Sequence, residues 1–178
     1  METNLYRIKK FSRKNEKENW KFRTFLKWCD LPEEKIDSIV HELFQEVSKK
    51  IDCKMCANCC KEALPLLDQT DINRFSEGLG ISSLEFKEKY LVEAERESGK
   101  YTFNKKPCPF LKDNICSHYD LRPEDCRSFP HLHKKEFTSR LINVIENCSL
   151  CPIVYNVYEL LKDEVWHNRF DEVDDYDL

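Results

Sequence analysis

The sequence contains a dense run of thiols, because Cys53, Cys56, Cys59 and Cys60 fall within eight consecutive residues. Thiolates are soft, negatively charged ligands that repel one another unless a cation neutralises them. A cluster of this density in a protein that keeps its thiols reduced is typical of a metal or redox site. The run therefore predicts metal–thiolate chemistry.

Five later cysteines complete the set of candidate metal ligands: Cys108, Cys116, Cys126, Cys148 and Cys151. The tenth cysteine, Cys29, is left out of this set. It occupies an apolar position in a helical pattern, where a cysteine behaves as a small buried hydrophobe.

The spacing of Cys53, Cys56 and Cys59 favours an iron-sulfur cluster (4Fe-4S). These residues match the first three ligands of a bacterial ferredoxin run, whose further ligand is a cysteine followed by proline. Two such pairs occur here, Cys108-Pro109 and Cys151-Pro152. The ferredoxin continuation itself is missing, because Cys60 follows Cys59 at once.

Zinc is the alternative metal, since structural zinc sites usually combine two C-x2-C pairs. Cys53 and Cys56 form one such pair, and Cys148 and Cys151 form another. The adjacent Cys59 and Cys60 strain a single tetrahedral site, because neighbouring side chains diverge. They suit two different centres, or one ligand beside one supporting thiol.

Polar residues near the later cysteines have two interpretations each. Arg122 and Arg127 flank Cys126, where they could donate hydrogen bonds to thiolates or pair with neighbouring carboxylates. His131 and His133 form an H-x-H pair that could ligate a metal, but we interpret them as polar surface.

The length, composition and charge of the chain limit which functions are expected. The chain has 178 residues, of which 40% are hydrophobic and 35% charged, with a net charge of −4. That length suits one domain, and its small net charge does not favour a polyanionic partner. Nine Lys or Arg occur in residues 1–30, but no recognition motif accompanies them, so nucleic acid is not expected. The expected partner is an unidentified protein or redox partner.

Several sequence signals are absent. No apolar signal region opens the chain and no run of about 18 apolar residues occurs, so we expect a cytoplasmic protein that does not span a membrane. With only three glycines, the chain also lacks the Rossmann fingerprint and the P-loop.

Hydrophobic periodicity predicts a mostly helical α+β fold in a single small domain, with short strands and with cysteine segments that converge on a metal site. We predict a flexible basic N-terminus over residues 1–15, the metal-binding domain over 16–168, and an acidic tail over 169–178. The predicted elements are helices over 16–29, 32–50, 70–80 and 82–95, a strand at 100–103, a hairpin within 108–119, a helical turn at 123–126, and helices around 141–145 and from 151.

A larger pattern joins these cysteines to specific neighbours. It comprises Cys53-x2-Cys56-x2-Cys59-Cys60, then Cys108-Pro109-Phe110-Leu111, then Cys116-x2-Tyr119-x2-Arg122-Pro123-x2-Cys126-Arg127-x-Phe129-Pro130. The pattern resembles the CxxCxxCC cysteine-cluster family, also called YkgJ-like, which is described as zinc- or iron-chelating. Flagellin lysine N-methylases share the cysteine signature.

The resemblance implies a cytoplasmic metal-binding domain in which the matching cysteines are ligands. It does not supply a reaction, and methylation is not carried over, because the chain has no glycine-rich S-adenosylmethionine motif. Three hypotheses follow: a redox or sensing protein with an iron-sulfur cluster, a structural zinc module for partner interaction, and a protein-modifying enzyme related to the methylases.

The division of the cysteines can be tested by metal analysis of two single variants. We expect Cys59→Ser to lower metal occupancy, because it removes a ligand, and Cys29→Ser to leave occupancy unchanged. Equal loss of metal in both variants would refute the division.

Overall fold

Helices dominate the computed structural model, which describes residues 1–95 and 97–167. The strands are short and pair antiparallel. The mostly helical α+β class is confirmed. The predicted acidic tail, residues 169–178, lies outside the described residues. In chain order the elements are α1 (Leu5–Lys14), α2 (Glu16–Trp28), α3 (Glu33–Ser48), α4 (Cys53–Cys56), α5 (Asn58–Glu62), α6 (Gln69–Leu79), α7 (Ser83–Tyr90), β1 (Leu91–Glu93), β2 (Tyr101–Phe103), β3 (Leu111–Lys112), β4 (Ile115–Cys116), α8 (Glu124–Ser128), α9 (Leu141–Cys148) and α10 (Pro152–Lys162).

The chain divides into two compact units. Among the described residues, a helical unit comprises Met1–Asp52 and residues 130–167, and a cysteine unit comprises Cys53–Phe129. The cysteine unit therefore contains seven of the nine candidate ligands. Across residues 1–95 and 97–167, none of the helices has the length and apolar content that a bilayer crossing needs.

The helical unit is built around α10, which packs against α3 and α9. Pro152 starts α10 at a position where its missing N–H costs nothing. Tyr158 is fully buried, with its ring centroid 5.2 Å from that of Phe22, and its hydroxyl donates to the Asn19 carbonyl at 3.2 Å. Burial of aromatic rings with a satisfied hydroxyl makes this the centre of the unit.

Residues 5–14 form α1, where the sequence predicts a flexible segment. Ile8 is fully buried, and the Ser12 hydroxyl donates to the Cys148 carbonyl at 3.0 Å. Asn4 caps the helix by accepting a hydrogen bond from the Arg7 N–H. The burial of one side of α1 and the Asn4 cap stabilise this helix. The many charged residues of the segment hide its helical pattern in the sequence.

The cysteine unit has a core of stacked aromatic rings centred on Phe75. The centroid of Phe75 lies 4.6 Å from that of Phe110 and 5.2 Å from that of Phe86. The sulfur-bearing Cys108 and Cys116 pack against this core. The two segments that contain Cys108 and Cys116 therefore border the same apolar core.

Two predicted boundaries in this unit are wrong. Helix α6 begins at Gln69, before the predicted start at residue 70, because Asp68 caps it and Asp71 completes the reciprocal capping box. Helix α7 starts as predicted after Ser82 but ends at Tyr90, not near Glu95. The reason is that β1 pairs with β2 in the register Leu91–Phe103, which takes the chain out of the helix.

The aromatic core predicts where the cysteine unit is most sensitive to truncation. Phe75→Ala should lower the free energy of unfolding by about 3–5 kcal/mol, because it leaves a cavity among the rings. The matched control is Leu84→Ala, since Leu84 is 67% exposed, and it should change stability by about 0.5 kcal/mol or less. Urea denaturation followed by circular dichroism measures both, and similar losses would contradict the assignment of the core.

Candidate metal centre

The first four cysteines lie on two short helices joined at Ala57. Ala57 is buried and has a φ of 50°, which is uncommon for a residue with a Cβ and ends α4 before α5 begins. Cys53 is exposed, whereas Cys56, Cys59 and Cys60 are half-buried. The reversal at Ala57 thus separates Cys53 and Cys56 on α4 from Cys59 and Cys60 on α5.

Cys108 is tied directly to this run. Its backbone N–H donates to the Cys60 carbonyl at 2.9 Å, and its own carbonyl accepts from Leu111 at 3.0 Å. The hydrogen bond holds two segments together that are far apart in the sequence. Cys108 therefore joins the cysteine run through the backbone, independently of any metal.

Cys116 is positioned by the predicted hairpin. It pairs with Leu111 across β3 and β4, and the turn between the strands contains Asp113 at φ 49° and Asn114 at φ 63°. Two successive left-handed residues are typical of the turn that matches strand twist, and Asp and Asn tolerate that conformation. The turn residues thereby fix the register that places Cys116.

Cys126 lies on α8, which two carboxylates hold in place. The Glu124 N–H at the start of α8 donates to Asp71 Oδ1 at 3.0 Å. In the same helix, Asp125 Oδ2 accepts from the Leu66 N–H at 3.0 Å. A carboxylate at the first turn of a helix is also favoured by the helix dipole.

The sulfur atoms of Cys60, Cys108, Cys116 and Cys126 form one electrostatic group. Burial, together with the negative charges of Cys116 and Cys60, raises the pKa of Cys108 to about 11. Burial likewise raises the pKa values of Cys116 and Cys126, and the charge of Cys60 contributes to both. The structure thus brings Cys60 together with three of the remote cysteines.

Cys60 itself is the most acidic thiol of this group. The hydrogen bond from Cys59 lowers its pKa to about 7, and the charges of Arg122 and Lys61 act in the same direction against burial. The adjacent pair is therefore a hydrogen-bonded pair, in which Cys59 supports a thiolate at Cys60.

Arg122 is held close to the thiols by the ring and the backbone carbonyl of Tyr119. Its guanidinium carbon lies 3.3 Å from the ring centroid of Tyr119, and its Nε donates to the Tyr119 carbonyl at 2.7 Å. On the same ring, Lys54 Nζ lies 5.3 Å from the centroid. Arg127 donates to the carbonyls of Arg122 and Asp120, so it braces this loop.

The donor set fits zinc or iron in chemical type, since grouped cysteine sulfurs are the ligands that both metals accept from proteins. None of the ten cysteines, all of which the structure describes, forms a disulfide. Among the residues that the structure describes, however, no three His, Cys, Asp or Glu side chains are spaced to hold an ion as they stand. The cysteines therefore fit zinc or iron by the type of their ligand atoms and by their grouping.

The remaining candidates lie in the helical unit. Cys148 and Cys151 flank the junction of α9 and α10 and are both buried, and burial raises the pKa of Cys148. Their assignment as ligands stays a prediction. His131 and His133 also belong to this unit, where the ring centroid of His133 lies 6.4 Å from that of Phe44.

Asp71 and Lys54 are residues of the site region that sequence reasoning missed. Asp71 could have been found as the third residue after Asp68, a capping spacing, but its bond to Glu124 spans 53 positions. Lys54 gave no signal, because a lysine between cysteines is ordinarily solvated.

Comparison with known proteins identifies this region. The sequence model of the CxxCxxCC family, described as a "putative zinc- or iron-chelating domain", matches residues 52–151, which is more than half of the chain. No curated protein and no solved structure matches the chain.

The Cys59–Cys60 hydrogen bond predicts the reactivity of the metal-free protein. With a pKa of about 7, Cys60 is about half ionised at pH 7, so iodoacetamide should modify it before the other thiols of its group. Cys59→Ala removes the bond, raises the pKa of Cys60, and should slow its alkylation at pH 7 about tenfold.

The matched control for this measurement is Cys56→Ala, which removes a nearby thiol without removing that hydrogen bond and should leave the Cys60 rate unchanged. Peptide mapping by mass spectrometry over a pH series measures each rate. A midpoint for Cys60 near pH 8.5, the usual thiol pKa, would contradict the assignment.

Proposed function

We propose, since the chain belongs to the CxxCxxCC family of zinc- or iron-chelating domains, that its cysteine unit holds an iron-sulfur cluster and acts in electron transfer or redox sensing. When bound, such a cluster supplies reversible one-electron chemistry. Its partner would be a redox protein in a reducing compartment such as the cytoplasm, where thiols stay available as ligands.

The proposal is carried by the grouping of the Cys60 thiolate with Cys108, Cys116 and Cys126. Their charges raise one another's pKa values, so these sulfur atoms lie close enough for their charges to interact. Buried thiols with raised pKa values give up their protons readily only when a cation takes their place. The group is therefore prepared for metal and poorly suited to remain as thiols.

Two further observations favour a cluster with a redox role. Arg122 and Lys61 act on Cys60 with positive charge, which would offset the negative charge of a thiolate-bound cluster. The cysteines of the run are half-buried or exposed, so electrons could pass to a partner without a long route through protein. A role in sensing oxidants follows from the same exposure.

A structural zinc site is the second candidate, and one observation favours it. The electrostatic group contains four cysteine sulfurs, the number that a closed tetrahedral zinc site requires. In that case the metal would link α5, α8 and the hairpin, and the unit would serve as a module that presents a surface to a partner.

Anaerobic purification separates the two candidates. We expect a brown protein that contains iron and acid-labile sulfide. A colourless protein with near-stoichiometric zinc would contradict the proposal of an iron-sulfur cluster.

Variants test which thiols take part in metal binding. Cys116→Ser and Cys126→Ser should each lower iron and sulfide content by at least about half, since each removes a sulfur from the group, and Cys29→Ser is the matched control. Full iron content in both cysteine-unit variants would contradict the grouping, even in a brown protein.

A further inference from the structure

The outer surface of α1 and α2 is a continuous helical face that the metal centre does not use. The Asn15 N–H donates to the Phe11 carbonyl and its carbonyl accepts from Asn19, both at 2.8 Å, so helical hydrogen bonds run through the junction. The buried positions of the two helices keep one helical spacing throughout: Ile8, Ser12, Asn19, Phe22 and Leu26. The opposite positions therefore also share one face.

That opposite face carries only positive charge. Lys10, Arg13, Lys17 and Lys21 are exposed and separated by three or four residues, which places successive cations about 4.5–6 Å apart along the axis. Over the described ranges, none of the four forms an ion pair.

The nearby carboxylates of α2 do not neutralise this face. Glu18 lies on another side of the helix and pairs with Lys162 at 3.3 Å. Glu16 is three residues from Arg13 and lies beside it on the helix surface, but the two side chains form no ion pair. A row of unneutralised cations attracts polyanions and does not stabilise the fold.

Aromatic rings stand among these cations. Trp28 is 85% exposed, Tyr6 is 77% exposed and Trp20 is 42% exposed, and all three project from the same side as the lysines by their helical spacing. Large exposed aromatic residues on one charged face mark an interaction surface.

We propose that this face, defined by Lys10, Arg13, Lys17, Lys21 and the rings of Tyr6, Trp20 and Trp28, binds single-stranded nucleic acid. Proteins that bind single strands combine cations that follow the phosphates with aromatic side chains on which the unpaired bases stack. Both components are present here in one row.

The structure favours nucleic acid over an anionic membrane. A helix that lies in a membrane interface inserts its apolar side. In α1 and α2 that side is committed to the protein core, since Ile8 and Phe22 are fully buried. The sequence alone does not lead to this proposal, because the row of cations exists only if residues 5–14 are helical.

The test is fluorescence anisotropy of the full-length protein with a labelled oligothymidylate about 15 nucleotides long, over a series of salt concentrations. Four phosphate contacts predict that the logarithm of affinity falls with the logarithm of salt with a slope of about −2.8. Lys10→Gln combined with Lys17→Gln should reduce the slope to about −1.4. Lys35→Gln combined with Lys49→Gln, two exposed positions outside α1 and α2, is the matched control and should leave it unchanged.

Stacking is tested separately with Trp28→Ala. This variant should weaken binding about fivefold or more without changing the salt slope, because it removes a ring and no charge.

Four results would overturn the proposal. They are the absence of oligothymidylate binding at low salt, equal slopes in the two double variants, equal affinity for polyglutamate, and binding to phosphatidylserine vesicles but not to the oligonucleotide.

Discussion

The charge of the Cys60 thiolate is the interaction on which the cysteine unit depends. It is stabilised by the hydrogen bond from Cys59 and by two cations, yet it raises the pKa values of Cys108, Cys116 and Cys126. Thiolates whose charges interact in this way repel one another unless a positive centre neutralises them. Metal binding removes this conflict, because it replaces the protons of the buried thiols with a cation.

The rest of the unit keeps these sulfur atoms near one another. The aromatic core around Phe75 supports the hairpin, against which Cys108 and Cys116 pack. Asp71 and Asp125 anchor the short helix that carries Cys126, and a backbone hydrogen bond joins Cys108 to Cys60. The position of each cysteine therefore depends on contacts that exist without metal.

The sequence predicts the starts of α7 and α10 and the hairpin well, because local signals determine them. Ser82 caps α7, Pro152 opens α10, and Asp113-Asn114 forms the predicted turn. The sequence predicts the end of a helix poorly where a distant segment determines it. Strand β2 ends α7 early, because it pairs with β1. Helix α1 was missed for a similar reason, since Ile8 stabilises it only by burial in the helical unit.

The metal-binding character of the site could be predicted from the sequence because thiol spacing encodes it, and the family match supports this prediction. The grouping within the set could not be predicted. The spacing of Cys53, Cys56 and Cys59 favours these three residues as ligands of one cluster, whereas the structure groups Cys60 with the remote cysteines. Arg122 acts on Cys60 through its charge, which distinguishes it from the carboxylate pairing that the sequence also allowed.

X-ray absorption spectroscopy of the anaerobically purified protein tests the central claim most directly, since it reports the metal and its neighbours together. The account predicts an iron edge with a shell of sulfur atoms and a second shell of iron. A zinc edge with four sulfur neighbours at about 2.3 Å and no metal neighbour would contradict it.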